Sequence, residues 1–265
     1  MRFSQILSSM QPADQGWSAV IGEDWSQGRA SFGGVVTALG NEAMRRLVPL
    51  DRKLRALQTT FVGPALSGSV RLEAQILRVG KVVTIAESRL WSAAQIAATF
   101  TGIYGADRSS SIEVAPRSAP PAAAVGDLPD LARPPDAGAA PSFLRHFGIR
   151  WAEGARPFTG TTVNRSKAYI RHQDDAPLTE SHVVALIDCI PSVILQMMTR
   201  VAPSSSMDWT LQFLRHDYTH APDAWWRIDS EVAAAANGYS SESSVIYDPC
   251  GAPAAFSRQL VAVFG

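Results

Sequence analysis

The sequence predicts an α+β protein built from two copies of one unit, each an apolar helix followed by an antiparallel run of strands. One order of anchors occurs twice. Phe32-Gly33-Gly34-Val35-Val36 leads to Phe61-Val62-Gly63-Pro64, then Trp91 and Phe100-Thr101-Gly102-Ile103-Tyr104. Further on, His182-Val183-Val184-Ala185-Leu186-Ile187-Asp188 leads to Phe213-Leu214-Arg215-His216, then Tyr247 and Phe256-Ser257-Arg258-Gln259. In both, the last two anchors begin nine residues apart (100 − 91 and 256 − 247). Between the copies, 116–141 holds seven of the seventeen prolines, with Ala, Gly and Asp in the gaps. Such a stretch can neither hold a regular ladder nor bury much apolar area. It reads as a linker between units at 1–115 and 142–265.

In the first unit, Gly33-Gly34 followed by 35–47 reads as a helix leaving a tight loop. Pro49 ends it, because the residue before a proline is pushed out of the helical region. Strands are predicted at 54–62, 69–78, 82–91 and 95–104, rich in β-branched and aromatic residues, with turns at Gly63-Pro64 and Gly80. Turns this short leave no room for parallel crossovers, so the strands run antiparallel. The second unit repeats the order. The stretch 179–201 is helix-like and strongly apolar, with Pro191 forcing a kink or break soon after Asp188. Strands follow at 207–214, 224–235, 239–247 and 254–263, and Asn237-Gly238 is a hairpin signal because both residues tolerate positive φ.

Composition narrows the function. Of 265 residues, 46% are hydrophobic and 18% charged, as expected of a folded chain with a real core. Lys plus Arg and Asp plus Glu number 24 each, which offers no electrostatic case for nucleic acid. No apolar run reaches bilayer length, no basic helix face argues for membrane attachment, and residues 1–15 lack a secretory pattern. Cys189 and Cys250 are too few for a disulfide framework and wrongly spaced for zinc. His146, His172, His182, His216 and His220 show no metal-ligand spacing either. The expectation is a cytoplasmic protein with no metal and no cofactor.

Three local patterns carry a resemblance. Phe32-Gly33-Gly34 opens a helix, Leu57-Gln58-Thr59-Thr60-Phe61-Val62-Gly63-Pro64 forms the next strand with its Phe and Pro ending, and Asp188-Cys189-Ile190-Pro191 places an Asp shortly before a Pro in the second helix. In this order and spacing the chain resembles the double-hotdog acyl-CoA thioesterases of the bacterial thioesterase II type. The resemblance implies a double hotdog, with a long helix in each repeat wrapped by an antiparallel sheet, and a fatty acyl-CoA as substrate. In that family a carboxylate, a hydroxyl and a Gln hold the attacking water. Residue by residue these fall on Asp188, Ser206 and Gln259, with Gly33 and Gly34 at the substrate carbonyl. The chain departs from the family in three places. The hydroxyl is Ser rather than Thr, Leu214 stands where a His commonly follows the Phe, and Leu260 replaces an acidic residue after the Gln. The last two point to a different substrate subgroup or to lost activity.

The chemistry stands without the family. Thioester hydrolysis needs an oriented water, a proton acceptor and donors for the developing oxyanion. A carboxylate leaving an apolar helix is partly desolvated and therefore a better base at neutral pH. Ser206 and Gln259 each offer a donor and an acceptor, and backbone N–H groups at a helix start, Gly34 above all, can polarise the carbonyl. There is no Gly-x-Ser-x-Gly elbow, so water attacks directly. Ile194, Met197 and Met198 are candidates to line an acyl channel. The first copy is an internal control: Gly40 or Asn41 lies opposite Asp188, Leu54 opposite Ser206, and Ile103 opposite Gln259. None is a carboxylate.

Two other readings exist. A non-catalytic acyl-CoA binding protein on the same fold would fit the Ser206 and Leu260 departures. Asp174-Asp175-Ala176-Pro177-Leu178 before His182 faintly resembles the loop of hotdog enoyl-CoA hydratases, but the spacing is too long and an Asn-Pro pair is absent. Cys189 beside Asp188 reads as a small buried hydrophobe rather than a nucleophile. A fused pseudo-dimer leaves open a homo-oligomer of such units.

Overall fold

The computed structural model describes residues 1–112, 114, 117–120, 123–129 and 140–264. Ahead of the first predicted helix come α1 (Phe3–Ser8), β1 (Gln11–Pro12), β2 (Trp17–Ile21), β3 (Ser26–Gln27) and β4 (Ala30–Ser31). The first unit continues with α2 (Gly33–Arg45), β5 (Lys53–Phe61), β6 (Gly68–Val79), β7 (Val83–Ser92) and β8 (Gln95–Gly105). The second has β9 (Phe147–Glu153), β10 (Arg165–His172), α3 (Glu180–Ile187) and α4 (Ile194–Met197). It closes with β11 (Ser204–Phe213), β12 (Trp226–Ala236), β13 (Tyr239–Tyr247) and β14 (Pro253–Val263).

Twelve strands form one antiparallel sheet in the order β1-β2-β6-β7-β8-β5-β11-β14-β13-β12-β10-β9. The two halves meet at its centre, where β5 pairs with β11 and Leu57 faces Leu211. On the inner face α2 packs against α3 and against β6, β7 and β8. Close approach explains two glycines. A Cβ on Gly34 would lie 2.8 Å from the Ala185 carbonyl of α3, and one on Gly40 would lie 2.4 Å from the Phe100 ring. Asn237 and Gly238 both take positive φ, 53° and 79°, in the predicted hairpin.

Each half carries a bulge near the start of its central strand, between Leu54 and Ala56 in β5 and between Ser206 and Asp208 in β11. A bulge inserts one residue and so shifts the alternation of faces. Leu54, Leu57 and Thr59 therefore face inward in β5 as Ser206, Trp209 and Leu211 do in β11. The repeat extends to this irregularity.

The long second helix expected over 179–201 is replaced by eight-residue α3 and a single turn, α4. Asp188 is the C-cap, the Cys189 N–H turns back to the Leu186 carbonyl, and Pro191 has no N–H with which to resume the ladder. An aromatic cluster ties residues before α2 to those after the linker. Trp25 stacks on His146 with centroids 4.1 Å apart, and Phe32 on Phe143 at 4.2 Å. The expected linker 116–141 lies partly outside the described residues. Its described part runs against the second half, where Arg150 and Arg227 donate to the Leu128 and Pro120 carbonyls.

Candidate active site

Asp188 is delivered by the end of α3 to the start of α2. Gln259 of β14 donates from Nε2 to Asp188 Oδ1 at 2.8 Å, and the Gly34 N–H hydrogen-bonds the same carboxyl. The space beside Gly33 is the meeting point. A Cβ there would lie 2.9 Å from Asp188 Oδ2 and 3.3 Å from Cζ of Phe61. Asp188 is half-buried as a residue, while its carboxyl is enclosed by these neighbours. Burial drives its pKa up to about 7 against the opposing pull of the Gln259 and Gly34 hydrogen bonds. Desolvation wins because two neutral donors replace only part of the lost hydration. The Gly34 N–H, expected to face the substrate, is thus directed at Asp188.

Strand register places the other residues. Gln259 pairs with Trp209 on one side and Glu242 on the other. Ser206 pairs with Val261, the next inward position of β14, so it sits diagonally from Gln259 on the same face. Among the described residues, no hydrogen bond joins Ser206 to Asp188 or Gln259. A cavity of about 20 Å³ lies between the 187–193 segment and the strands, bordered by Asp188, Ser192, Glu242, Ser257 and Gln259. That is room for about one water with several polar partners. Two departures from the family pattern, Leu260 and Leu214, are 39% and 41% exposed and do not border it.

Residues 21–105 match the acyl-CoA thioesterase N-terminal domain, and residues 118–263 match the acyl-CoA thioesterase C-terminal domain. The chain belongs to the acyl-CoA thioesterase family. It is a thioester hydrolase. Solved structures agree on the fold. A protein with hot dog fold from Alicyclobacillus acidocaldarius superposes with a TM-score of 0.86 at 17% identity, over 99% of this chain and 98% of that one. The TesB protein of Mycobacterium avium subs paratuberculosis gives 0.79 at 17% identity, over 99% and 100%. Acyl-CoA thioesterase II TesB2 from Mycobacterium marinum gives 0.77 at 15%, over 99% and 98%. No curated protein matches the chain.

The thioesterase has a second, altered copy of this arrangement. Leu57 pairs with Gly102 where Trp209 pairs with Gln259, so Gly102 and not Ile103 stands opposite Gln259. Ile103 faces outward; the sequence count missed this because Phe100 is buried and Phe256 exposed, so the two anchors are one residue out of step and Ser257 takes the place of Phe100. The Gly40 or Asn41 ambiguity is also decided by contacts. Asn41 reaches Ser181 and Glu180 at the start of α3, as Asp188 reaches Gly34 and Gly33 at the start of α2. Asn41 accepts from the Tyr104 hydroxyl at 2.8 Å, and the Tyr104 ring covers Gly102, the position held by Gln259 in the other half. An amide that cannot act as a base, capped by a phenol, fills this copy.

Among the described residues of the thioesterase, no group of three His, Cys, Asp or Glu could hold a metal ion, and no helix is long and apolar enough to cross a membrane.

Proposed function

We propose that the thioesterase hydrolyses fatty acyl-CoA to free fatty acid and CoA by direct attack of a water held by Asp188, Gln259 and Ser206. The observation that carries this is the enclosed Asp188–Gln259 pair, whose carboxyl titrates near neutrality beside a cavity one water wide. Asp188 takes a proton from the water as its oxygen bonds to the thioester carbon. The carbonyl oxygen becomes an oxyanion and lies over Gly33, whose N–H belongs to the first turn that a helix leaves without internal acceptors. Collapse breaks the carbon–sulfur bond, and the departing thiolate recovers the proton from Asp188. The balance is one water consumed, one acid and one thiol released, with no cofactor required.

In this reading the chain is a double hotdog of repeats 1–115 and 142–265 joined by 116–141, serving lipid metabolism in the cytoplasm. The acyl chain leaves Asp188 along half-buried Ile194, Met197 and Met198. CoA release from acyl-CoAs of increasing chain length, with Asp188→Asn alongside, tests it. Turnover by the wild type and a loss of about a hundredfold or more in the variant are expected. Turnover unaffected by Asp188→Asn would place the chemistry elsewhere. Binding without any turnover would make the protein a carrier of acyl-CoA.

A further inference from the structure

Asp188 is not the only carboxyl bordering the cavity. Glu242 faces inward from β13, directly across the ladder from Gln259, and is 6% exposed. A carboxyl so placed is strongly disfavoured unless donors meet its oxygens. They do: the N–H groups of Val193 and Ile194 donate to it at 2.9 and 3.1 Å, and the Ser192 hydroxyl donates as well. All three donors lie just after Pro191, at the entry to α4: Ser192 and Val193 precede it and Ile194 is its first residue. Their N–H groups open a new helical turn and have no acceptor within it.

The other half supplies the contrast. Ala86 pairs with Gly102 as Glu242 pairs with Gln259, so Ala86 holds the corresponding position. There α2 runs unbroken to Arg45 and has no such segment to anchor. A buried Glu and an interrupted helix occur together, in the half that keeps Asp188.

We infer that Glu242 is a positioning residue for hydrolysis, which by holding Ser192, Val193 and Ile194 fixes the cavity wall formed by 191–193 and so sets where the attacking water sits. The inference rests on the hydrolytic reading of Asp188. Glu242 acts through the segment it grips. Among the described residues it and Asp188 are the only ionisable groups bordering the cavity. The Asp188 carboxyl meets Gly33 and Gly34 of α2 and the neutral Gln259 of β14, and Phe61 of β5 lies against Gly33. The adjoining Cys189 thiol is held well above its usual range by burial and stays protonated.

The test compares Glu242→Ala and Glu242→Gln with the wild type. Turnover is measured on the acyl-CoA hydrolysed fastest, and the Asp188 carboxyl titration is followed separately by NMR of ¹³C-labelled aspartate. Glu242→Ala is expected to lower kcat about tenfold or more with KM within about twofold, and to move the Asp188 midpoint down by about a unit as solvent enters. Glu242→Gln keeps the volume and one acceptor oxygen and recovers part of both effects. If Glu242→Ala does not fold, Glu242→Gln carries the comparison alone. Unchanged kcat and an unmoved Asp188 titration, with only a lower melting temperature, would reduce Glu242 to a stabilising contact and overturn the inference. A wild type that hydrolyses no acyl-CoA would instead overturn the hydrolytic reading. The NMR titration then decides by itself whether Glu242 organises the surroundings of Asp188.

Discussion

Asp188 ends a helix in which every residue from Ser181 to Ile187 is buried, and this gives its carboxyl a proton affinity near neutrality. A base works only when deprotonated. Hence kcat/KM should climb with a slope of about one as pH rises toward about 7 and level off above it, and a flat pH–rate profile across that range would remove Asp188 from the role. Gly33 makes a second case. An added methyl would sit 2.9 Å from Asp188 Oδ2 and 3.3 Å from the Phe61 ring, and a carboxyl anchored at a helix end has little room to retreat. Gly33→Ala should therefore lower kcat about tenfold or more while circular dichroism stays that of the folded protein. A variant of normal activity would mean that the carboxyl is free to move. Asp188 was legible in the sequence because a lone acid closing an apolar run stands out. Glu242 was not: Ser240, Ser241, Ser243 and Ser244 surround it, and an all-polar stretch carries no alternation to mark which residue points inward.

Among the elements, the four strands predicted in each half and both helix starts were legible, since they follow hydrophobic period and turn residues. What escaped was set by contacts distant in the chain. Strands β9 and β10 and the segments before α2 take their place from pairing with β12 and β6 and from the aromatic cluster around Trp25, which no local pattern records. The helix break after Asp188 was signalled by Pro191, but α3 stopped sooner than a proline alone requires. The bulge in β11 matters most to the site. Ser206 lies three residues from Trp209, and regular alternation would put the two on opposite faces; the extra residue returns Ser206 to the inner one. Ser206→Ala should lower kcat about tenfold, whereas Ser205→Ala, on the exposed face, should leave it unchanged. Equal effects from the two would mean that the register does not deliver Ser206 to the water.

Over the whole molecule, buried ionisable groups give opposing pH responses. His172, hydrogen-bonded to the His182 carbonyl, and His182 itself lie beside Phe3 in the core, and burial lowers their pKa values to about 3 and about 4. The unfolded chain takes up these protons near pH ~6.5. Stability they leave intact above that point is lost as pH falls from about 6.5 toward about 4 for His182 and about 3 for His172. Asp188 runs the other way. Its folded pKa is raised, so its contribution weakens as pH climbs from 3.8 to about 7. Thermal unfolding across this range should accordingly show stability falling in acid, and the melting temperature of Asp188→Asn relative to wild type should rise with pH up to about 7 and then hold steady. A difference independent of pH would contradict a raised pKa for Asp188.

The covalent join between the two halves bears on that same acid. In a dimer of identical chains every substitution is made twice, so a dehydrated carboxyl gained for chemistry would weigh on stability in both copies. Here the β5–β11 ladder holds together two halves that share one peptide chain, each free to change without the other. The first has Asn41 in this position, closed over by Tyr104, while the second has Asp188. Fusion lets one half bring Gly33 and Phe61 beside a carboxyl that only the other half carries, and the penalty of burying that carboxyl falls once per molecule.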